Sequence, residues 1–381
     1  MPAIYLDYNA TTPVAPEVLE EMLPYLGEHF GNPSSSHAYG REARRAVETA
    51  RERVAGLLGC EPGEIVFTGG GSEANNLALK GIALACRERG DHIVTSCIEH
   101  PSVLNTCRYL EREGFRVTYL PVDACGMVNP EAVRQVITPA TILISVMHAN
   151  NEVGTIQPLA AIGAIARAHG VYFHTDAAQS VGKIWTRVDE LQVDLLTVAG
   201  HKLYAPKGVG ALYVRKGTPL EPLIHGADHE QGRRAGTENV PGIVGLGKAC
   251  QMALELLPAT VRALTELRDY LFELLRQKAE VTLNGHPVER LPNTLNVSFT
   301  GVNGARLLET TPEVAASTGS ACHAGVDSVS PVLAAMGLPP ARARGAVRLS
   351  LGRWTTPEDI ERAADLLAKQ AAVLLKETAK F

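Results

Sequence analysis

Four short segments carry side chains suited to covalent and anion chemistry. The first, Thr68–Asn76 (TGGGSEANN), sets three glycines and Ser72 between a β-rich run and a helical pattern. Glycines let a backbone approach an anion closely, and a helix N-terminus presents free N–H groups to it. Gly71 and Ser72 are therefore candidates for holding a phosphate, although a plain strand-to-helix turn has the same pattern. The segment is neither a Walker loop nor a spaced dinucleotide fingerprint. The second, His174–Gln179 (HTDAAQ), puts Asp176 at the carboxyl end of an apolar run, where ligands gather in open α/β sheets. A carboxylate there can keep a pyridine nitrogen protonated, as a pyridoxal cofactor requires. It can equally cap the next helix.

The third, Ala199–Gly210 (AGHKLYAPKGVG), carries Lys202 directly after His201. A lysine in a strand-end loop can form a Schiff base with an aldehyde cofactor; most lysines are solvated surface charges. The order of glycine turn, Asp176 and His-Lys pair about 26 residues later, each after a strand, is a constellation rather than an isolated match. The fourth, Ser317–Gly325 (STGSACHAG), holds Cys322 among small residues beside His323. An accessible thiol near a histidine can ionise and attack; the alternative is a buried structural cysteine. His225 and His229 have the spacing of a zinc helix, but Gly226 and Asp228 disfavour a helix there, and no metal is expected.

The elements that must position these residues follow from periodicity. Strand-like runs are expected at Glu64–Thr68, His92–Ser96, Arg116–Leu120, Thr141–Met147, Val171–Thr175, Asp194–Val198 and Gly210–Val214. Helical patterns at Ala38–Leu58, Ser72–Arg89 and Pro158–Ala168 alternate with them. That alternation predicts an α/β fold with a mainly parallel sheet. A long helical stretch, Val240–Lys278, precedes strands at Thr294–Phe299 and Ala346–Leu351 and a closing helix at Pro357–Glu377. The expected division is a large cofactor-binding domain over residues 13–259 and a small α+β domain from residues 1–12 and 260–381, which carries the cysteine loop.

Composition narrows the class. The chain has 381 residues, 45% of them hydrophobic, and a net charge of -5. That is enough apolar material for real cores, and no basic excess suggests a nucleic-acid or anionic-membrane partner. The N-terminus lacks the basic and apolar regions of a signal peptide, and no run approaches ~18 apolar residues, so a cytoplasmic protein is expected. Seven scattered cysteines fit reduced thiols.

Taken together, these segments resemble the cysteine desulfurases and selenocysteine lyases of the class V aminotransferase family. The resemblance runs through Tyr5–Pro13 (YLDYNATTP), Gly31–Ser35, Glu99-His100, Ala149–Gly154 (ANNEVG), Arg234–Asn239 (RAGTEN) and Arg348–Arg353 (RLSLGR), besides the four segments above. It implies the type I pyridoxal-phosphate-dependent transferase fold and the cofactor pyridoxal 5'-phosphate. By motif, Lys202 would bind the cofactor and shuttle the α-proton, Asp176 would pair with the pyridine nitrogen, and Gln179 with the ring hydroxyl. His100 would stack on the ring and transfer protons. Gly71, Ser72 and His201 would hold the phosphate, joined by Thr237 from a second subunit, which implies a homodimer. Asn151 and Arg348 would hold the substrate carboxylate, with Asn32 lining the same pocket, and Cys322 would receive the sulfur as a persulfide. The implied substrate is L-cysteine or L-selenocysteine, and the implied role is sulfur mobilisation toward an acceptor protein, as in iron–sulfur cluster assembly.

Some positions depart from that pattern. Ala199 stands where many bacterial desulfurases have a phosphate-binding serine, and Cys322 is followed by His-Ala-Gly rather than Thr-Ser. The segments around Ser330 and Arg348 are closer to selenocysteine lyases. The sequence ends at Phe381 without the longer tail that some relatives use to meet a scaffold. The rival expectations are an aminotransferase or another β-eliminating lyase on the same fold, and a non-catalytic sulfur-relay or regulatory protein.

Overall fold

Short apolar runs separated by helices can satisfy their backbones side by side in a sheet, with the helices crossing over its faces. The computed structural model, which describes residues 3–319 and 329–378, has this arrangement. Its strands are β1 (Ile4–Tyr5), β2 (Ile65–Thr68), β3 (His92–Ser96), β4 (Arg116–Leu120), β5 (Thr141–Ser145) and β6 (Tyr172–Asp176). They continue with β7 (Leu195–Ala199), β8 (Gly210–Val214), β9 (Val281–Asn284), β10 (Thr294–Phe299), β11 (Val314–Ala315) and β12 (Ala346–Ser350). Seven of them form one sheet in the order β2-β8-β7-β6-β5-β3-β4. The pairs from β4 to β7 are parallel, whereas β8 runs antiparallel to both β7 and β2. It follows that β2, β3, β5, β6 and β7 all end on the same edge.

These strands are buried almost throughout, which is why they read as continuous apolar runs. Two buried histidines join neighbouring strands instead of serving chemistry. His92 meets Thr141 at 2.8 Å and Thr118 at 2.9 Å; His174 meets Ser145 at 2.9 Å and Thr197 at 3.1 Å. Burial lowers the pKa of His174 to about 4, so it stays neutral in the sheet.

A second sheet, β12-β10-β9, is antiparallel, and β1 pairs with β11 in a two-stranded parallel ribbon. Helix Val240–Lys278 runs past both main sheets. Its first half, through Ile243, Val244 and Leu246, joins the core formed by helix Ala38–Leu58 and the large sheet. Its second half, through Leu264, Leu271 and Leu275, joins a core with Ile4, Leu6, Leu295, Val347 and Ile360. Pro258 lies between the two halves. The helix is long and apolar enough to cross a membrane by length and composition, but most of its apolar window is buried in these two cores.

Helix Pro101–Arg112 adds to the expected elements. Its signal is local: Pro101 occupies the first helical turn, and the His100 side chain caps it by accepting from Ser102 N. Helix Gly71–Ala85 ends earlier than the apolar pattern suggests, and β5 stops at Ser145.

The strand before the glycine turn is braced by a buried ion pair. Arg51, from helix Ala38–Leu58, makes two 2.8 Å bonds to the Glu230 carboxylate and donates to Ile65 O at 2.8 Å. Glu230 also accepts from Phe67 N at 2.8 Å. Both side chains are under one-tenth exposed. Removing Glu230 leaves Arg51 buried with only the half-exposed Glu48 to compensate it, which costs far more than an exposed pair is worth. Glu230→Ala is expected to lower the unfolding free energy by about 3–5 kcal/mol. Urea denaturation measures this, and a loss under ~1 kcal/mol would contradict the brace.

Candidate active site

The carboxyl ends of β2, β3, β5, β6 and β7 open on a cleft of about 680 Å³. Each strand delivers its functional group within a few residues of its end. After β2, the chain turns at Gly70, with φ 144, into helix Gly71–Ala85. The turn packs against Gly210, where a Cβ would lie 2.8 Å from the Gly70 backbone and 2.6 Å from Val198 O. The helix begins in the cleft, and its first N–H groups, which have no intrahelical acceptor, are available there beside Ser72 to an anion.

Asp176, the last residue of β6, is buried and accepts from Asn75 Nδ2 at 2.7 Å and Ala178 N at 3.0 Å. Asn75 also donates to Ser102 Oγ at 2.8 Å, and Ser102 meets His100 Nδ1 at 2.8 Å. A chain of polar contacts thus links the carboxylate to the imidazole. Ser102 N also donates to His100 Nδ1, so a neutral His100 carries its proton on Nε2. Desolvation lowers the His100 pKa, although the ring borders the cleft and meets water there.

Lys202 lies in the turn after β7, and its Nζ donates to the backbone oxygens of Asn9 at 2.5 Å and Ala10 at 2.7 Å. Among the described residues, no carboxylate is bonded to it. Burial, reinforced by Arg348 and opposed by Asp176 and Asp7, lowers its pKa to about 8. The neighbouring His201 meets Thr11 Oγ1 at 3.1 Å, and burial lowers it to about 4. Arg348, in the middle of β12, pairs with Asp7 at 2.6 Å and donates to the carbonyls of Asn151 and Gly319. Among the described residues, its buried Nε has no partner.

The cleft brings together Gly71, Ser72, His100, Asn151, Asp176, Gln179, His201, Lys202 and Arg348. Asn32 and Thr237 are exposed and lie outside its lining. Cys322 lies outside the described residues. Three further residues enter the site without having been singled out by type or spacing. Asn75 stands one helical turn beyond Ser72, a spacing that places both on one face. Asn9 joins distant segments, as detailed below. Glu99 is buried, accepts from Ser96 Oγ at 2.6 Å and Met147 N at 2.8 Å, and is raised to about 8 chiefly by burial. It is therefore a neutral carboxyl group at pH 7.

A family model for class-V aminotransferases matches residues 4–363. The chain belongs to the class-V aminotransferase family. Family membership brings pyridoxal phosphate as cofactor and the type I transferase fold. Among similar family members is the cysteine desulfurase IscS of Dictyoglomus turgidum, 50% identical over 369 residues, covering 96% of this chain and 94% of that protein. The Methanosarcina thermophila IscS is 51% identical over 367 residues, covering 96% and 91%. A solved NifS-like protein superposes with a TM-score of 0.90 at 40% identity, covering 98% of this chain and 99% of its own. SspA, solved in complex with cysteine, gives 0.82 at 44% identity, covering 92% and 99%.

The residues present fit the family's cofactor. A helix N-terminus with Ser72 suits its phosphate, and the buried Asp176 suits its ring nitrogen. An amine near neutrality suits its aldehyde. Only the neutral amine is nucleophilic, and for Lys202 that form is gained through pH about 8 instead of the usual lysine range near 10.5. The rate at which visible absorbance develops after pyridoxal phosphate is added to cofactor-free protein should therefore rise between pH 7 and 9. Lys202→Ala should abolish the absorbance. A rate flat across that window would place the Lys202 pKa elsewhere.

Proposed function

We propose that the protein is a pyridoxal-phosphate-dependent cysteine desulfurase, converting L-cysteine to L-alanine and passing the sulfur to Cys322. One observation carries the reading: a near-neutral lysine amine, a buried carboxylate and an arginine whose Nε has no partner among the described residues converge in one cleft. Relatives named cysteine desulfurase, about half identical over nearly the whole chain, support it.

When bound, the cofactor supplies an electron sink for the substrate carbons. Everything else falls to the chain's own residues. Arg348 offers its Nε–H to the substrate carboxylate, while Asp7 and two carbonyls fix the guanidinium plane. Asp176, held by Asn75 and Ala178, keeps a proton on the nitrogen that faces it. Lys202 removes the α-proton as a neutral amine, and His100 holds an exchangeable proton at Nε2. The Cys322 thiolate then attacks the substrate sulfur. An S–S bond forms and the C–S bond breaks; its electron pair stays on the β-carbon, which takes up a proton, and the α-carbon regains its own from Lys202 to give alanine.

Three further points belong to this proposal. Thr237, exposed and away from its own cleft, serves the phosphate site of a second copy in a homodimer. Asn32, also exposed, becomes part of a pocket only when that second copy closes over it. The six described cysteines are all unpaired, which supports a reducing, cytoplasmic setting. Selenocysteine is the proposed second substrate, and an acceptor protein takes the sulfur onward.

The test compares alanine formation from cysteine and from selenocysteine, with cofactor content matched. A thiol of pKa ~8.5 leaves poorly and needs the Cys322 nucleophile, whereas a more acidic selenol needs it less. Cys322→Ala is expected to cut cysteine turnover at least ~100-fold, a loss of about 3 kcal/mol in transition-state stabilisation. Selenocysteine turnover should fall far less. Full cysteine activity in the variant would remove Cys322 from the mechanism, and an α-keto product without alanine would favour an aminotransferase.

A further inference from the structure

Lys183 is a buried cation that takes no part in the steps above. It is 8% exposed and lies four residues beyond Gln179, in the turns that follow β6. Its Nζ is 3.0 Å from Gln179 Oε1 and 3.4 Å from Asn9 Oδ1. Both acceptors are amide oxygens, and no carboxylate among the described residues is bonded to it. Burial, reinforced by the positive Lys202 and Arg348, lowers its pKa to about 7. An ammonium kept beside two other cations, with only amide oxygens to accept from it, is a costly way to fill space.

We infer that Lys183 is a positioning residue that fixes which way the Gln179 amide faces. The argument rests on the reading in which Gln179 meets the cofactor's ring hydroxyl. A side-chain amide can be turned over at almost no steric cost, exchanging oxygen for nitrogen. The ammonium form of lysine has donors only, and the neutral amine still keeps two N–H donors, so the orientation that suits Lys183 is Oε1 toward Nζ. The Asn9 carbonyl, an acceptor only, draws the amide nitrogen to the opposite side. There one N–H goes to Asn9 O at 3.0 Å, and the other is left for the cleft, which Gln179 lines. Asn9 cannot turn over either, because its Oδ1 also accepts from Asn293 Nδ2 at 3.1 Å and its Nδ2 donates to Thr294 Oγ1 at 2.9 Å. Lys183 thus sits at the end of a chain of amides with one allowed polarity, which leaves Gln179 an N–H for the cleft, where the ring hydroxyl would lie in that reading. A donor there favours the oxyanion and lowers the pH at which the bound cofactor titrates.

The measurement is the pH titration of the visible absorbance of the cofactor-loaded protein, for Lys183→Met, Gln179→Leu and the double variant. Each single variant is expected to raise the apparent pKa by about one unit, a tenfold change in proton affinity. The double variant should titrate like Gln179→Leu alone, because a residue that acts through Gln179 has nothing left to orient. A Lys183→Met shift that persists in the Gln179→Leu background would mean that the lysine acts as a charge through space, and the inference fails. If Gln179→Leu shifts the titration and Lys183→Met does not, the inference fails alone. No shift in Gln179→Leu overturns the placement of Gln179 against the ring, and the inference with it. Should Lys183→Met not fold, Lys183→Gln decides instead: it fills the slot but can accept as well as donate, so an unshifted titration would again overturn the inference.

Discussion

The Lys202 amine is held by peptide carbonyls and not by a carboxylate, and much of the site depends on that choice. An Asp or Glu at hydrogen-bond distance would hold the proton on the amine and keep its pKa high. The carbonyls of Asn9 and Ala10 satisfy the donors without adding a formal charge, so burial and Arg348 prevail and the amine lies near neutrality. For this to work, the N-terminal strip must lie across the mouth of the large sheet. It is fastened there from several directions: Thr12 bonds to His201 O and Tyr204 N, Asn9 N donates to Ser350 Oγ, and Asn9 Nδ2 reaches Thr294 Oγ1 and Asn151 O. Asn9 therefore connects both main sheets with the lysine turn. A residue from the first turn of the chain sets the chemistry of one almost two hundred positions later.

The same tendency toward neutrality extends around the cleft. Burial leaves His148, His174 and His201 uncharged and turns Glu99 into a neutral acid. Two ionisable groups are held in fixed orientations: Asp176 between two donors, and Arg348 against Asp7 and two carbonyls. In surroundings of low polarity, a few fixed charges and dipoles act strongly and need no rearrangement when substrate enters.

Much of this was legible in the sequence because the site is built at strand ends. A strand announces itself by an apolar run, and the residue that follows it is the residue the cleft receives. Asp176, Lys202 and the glycine turn are all of this kind. The central strands were legible for the same reason: burial on both faces leaves no alternation to misread. Asn9 and Lys183 were not legible, because their roles depend on partners at positions 293, 294 and 350, or on the polarity of an amide, and no local pattern encodes these. Helix Pro101–Arg112 falls between the two cases, since its proline and capping histidine are local signals that hydrophobic periodicity overlooks. Thr237 and Asn32, which the family resemblance assigns to the pocket, stand outside the single-chain cleft.

Helix Val240–Lys278 is embedded at one end in the core under the large sheet and at the other in the core that carries β12, with Pro258 between. Proline removes one rung of the hydrogen-bond ladder, so a rod that is stiff elsewhere has one place to flex. From Pro258 to Lys278 the rod extends about 30 Å at ~1.5 Å per residue. A flexure of ~10° at the proline would sweep its tip by about 5 Å, roughly the girth of an amino acid. The one rod common to both cores thus carries its weakest rung between the body that supplies Lys202 and the body that supplies Arg348.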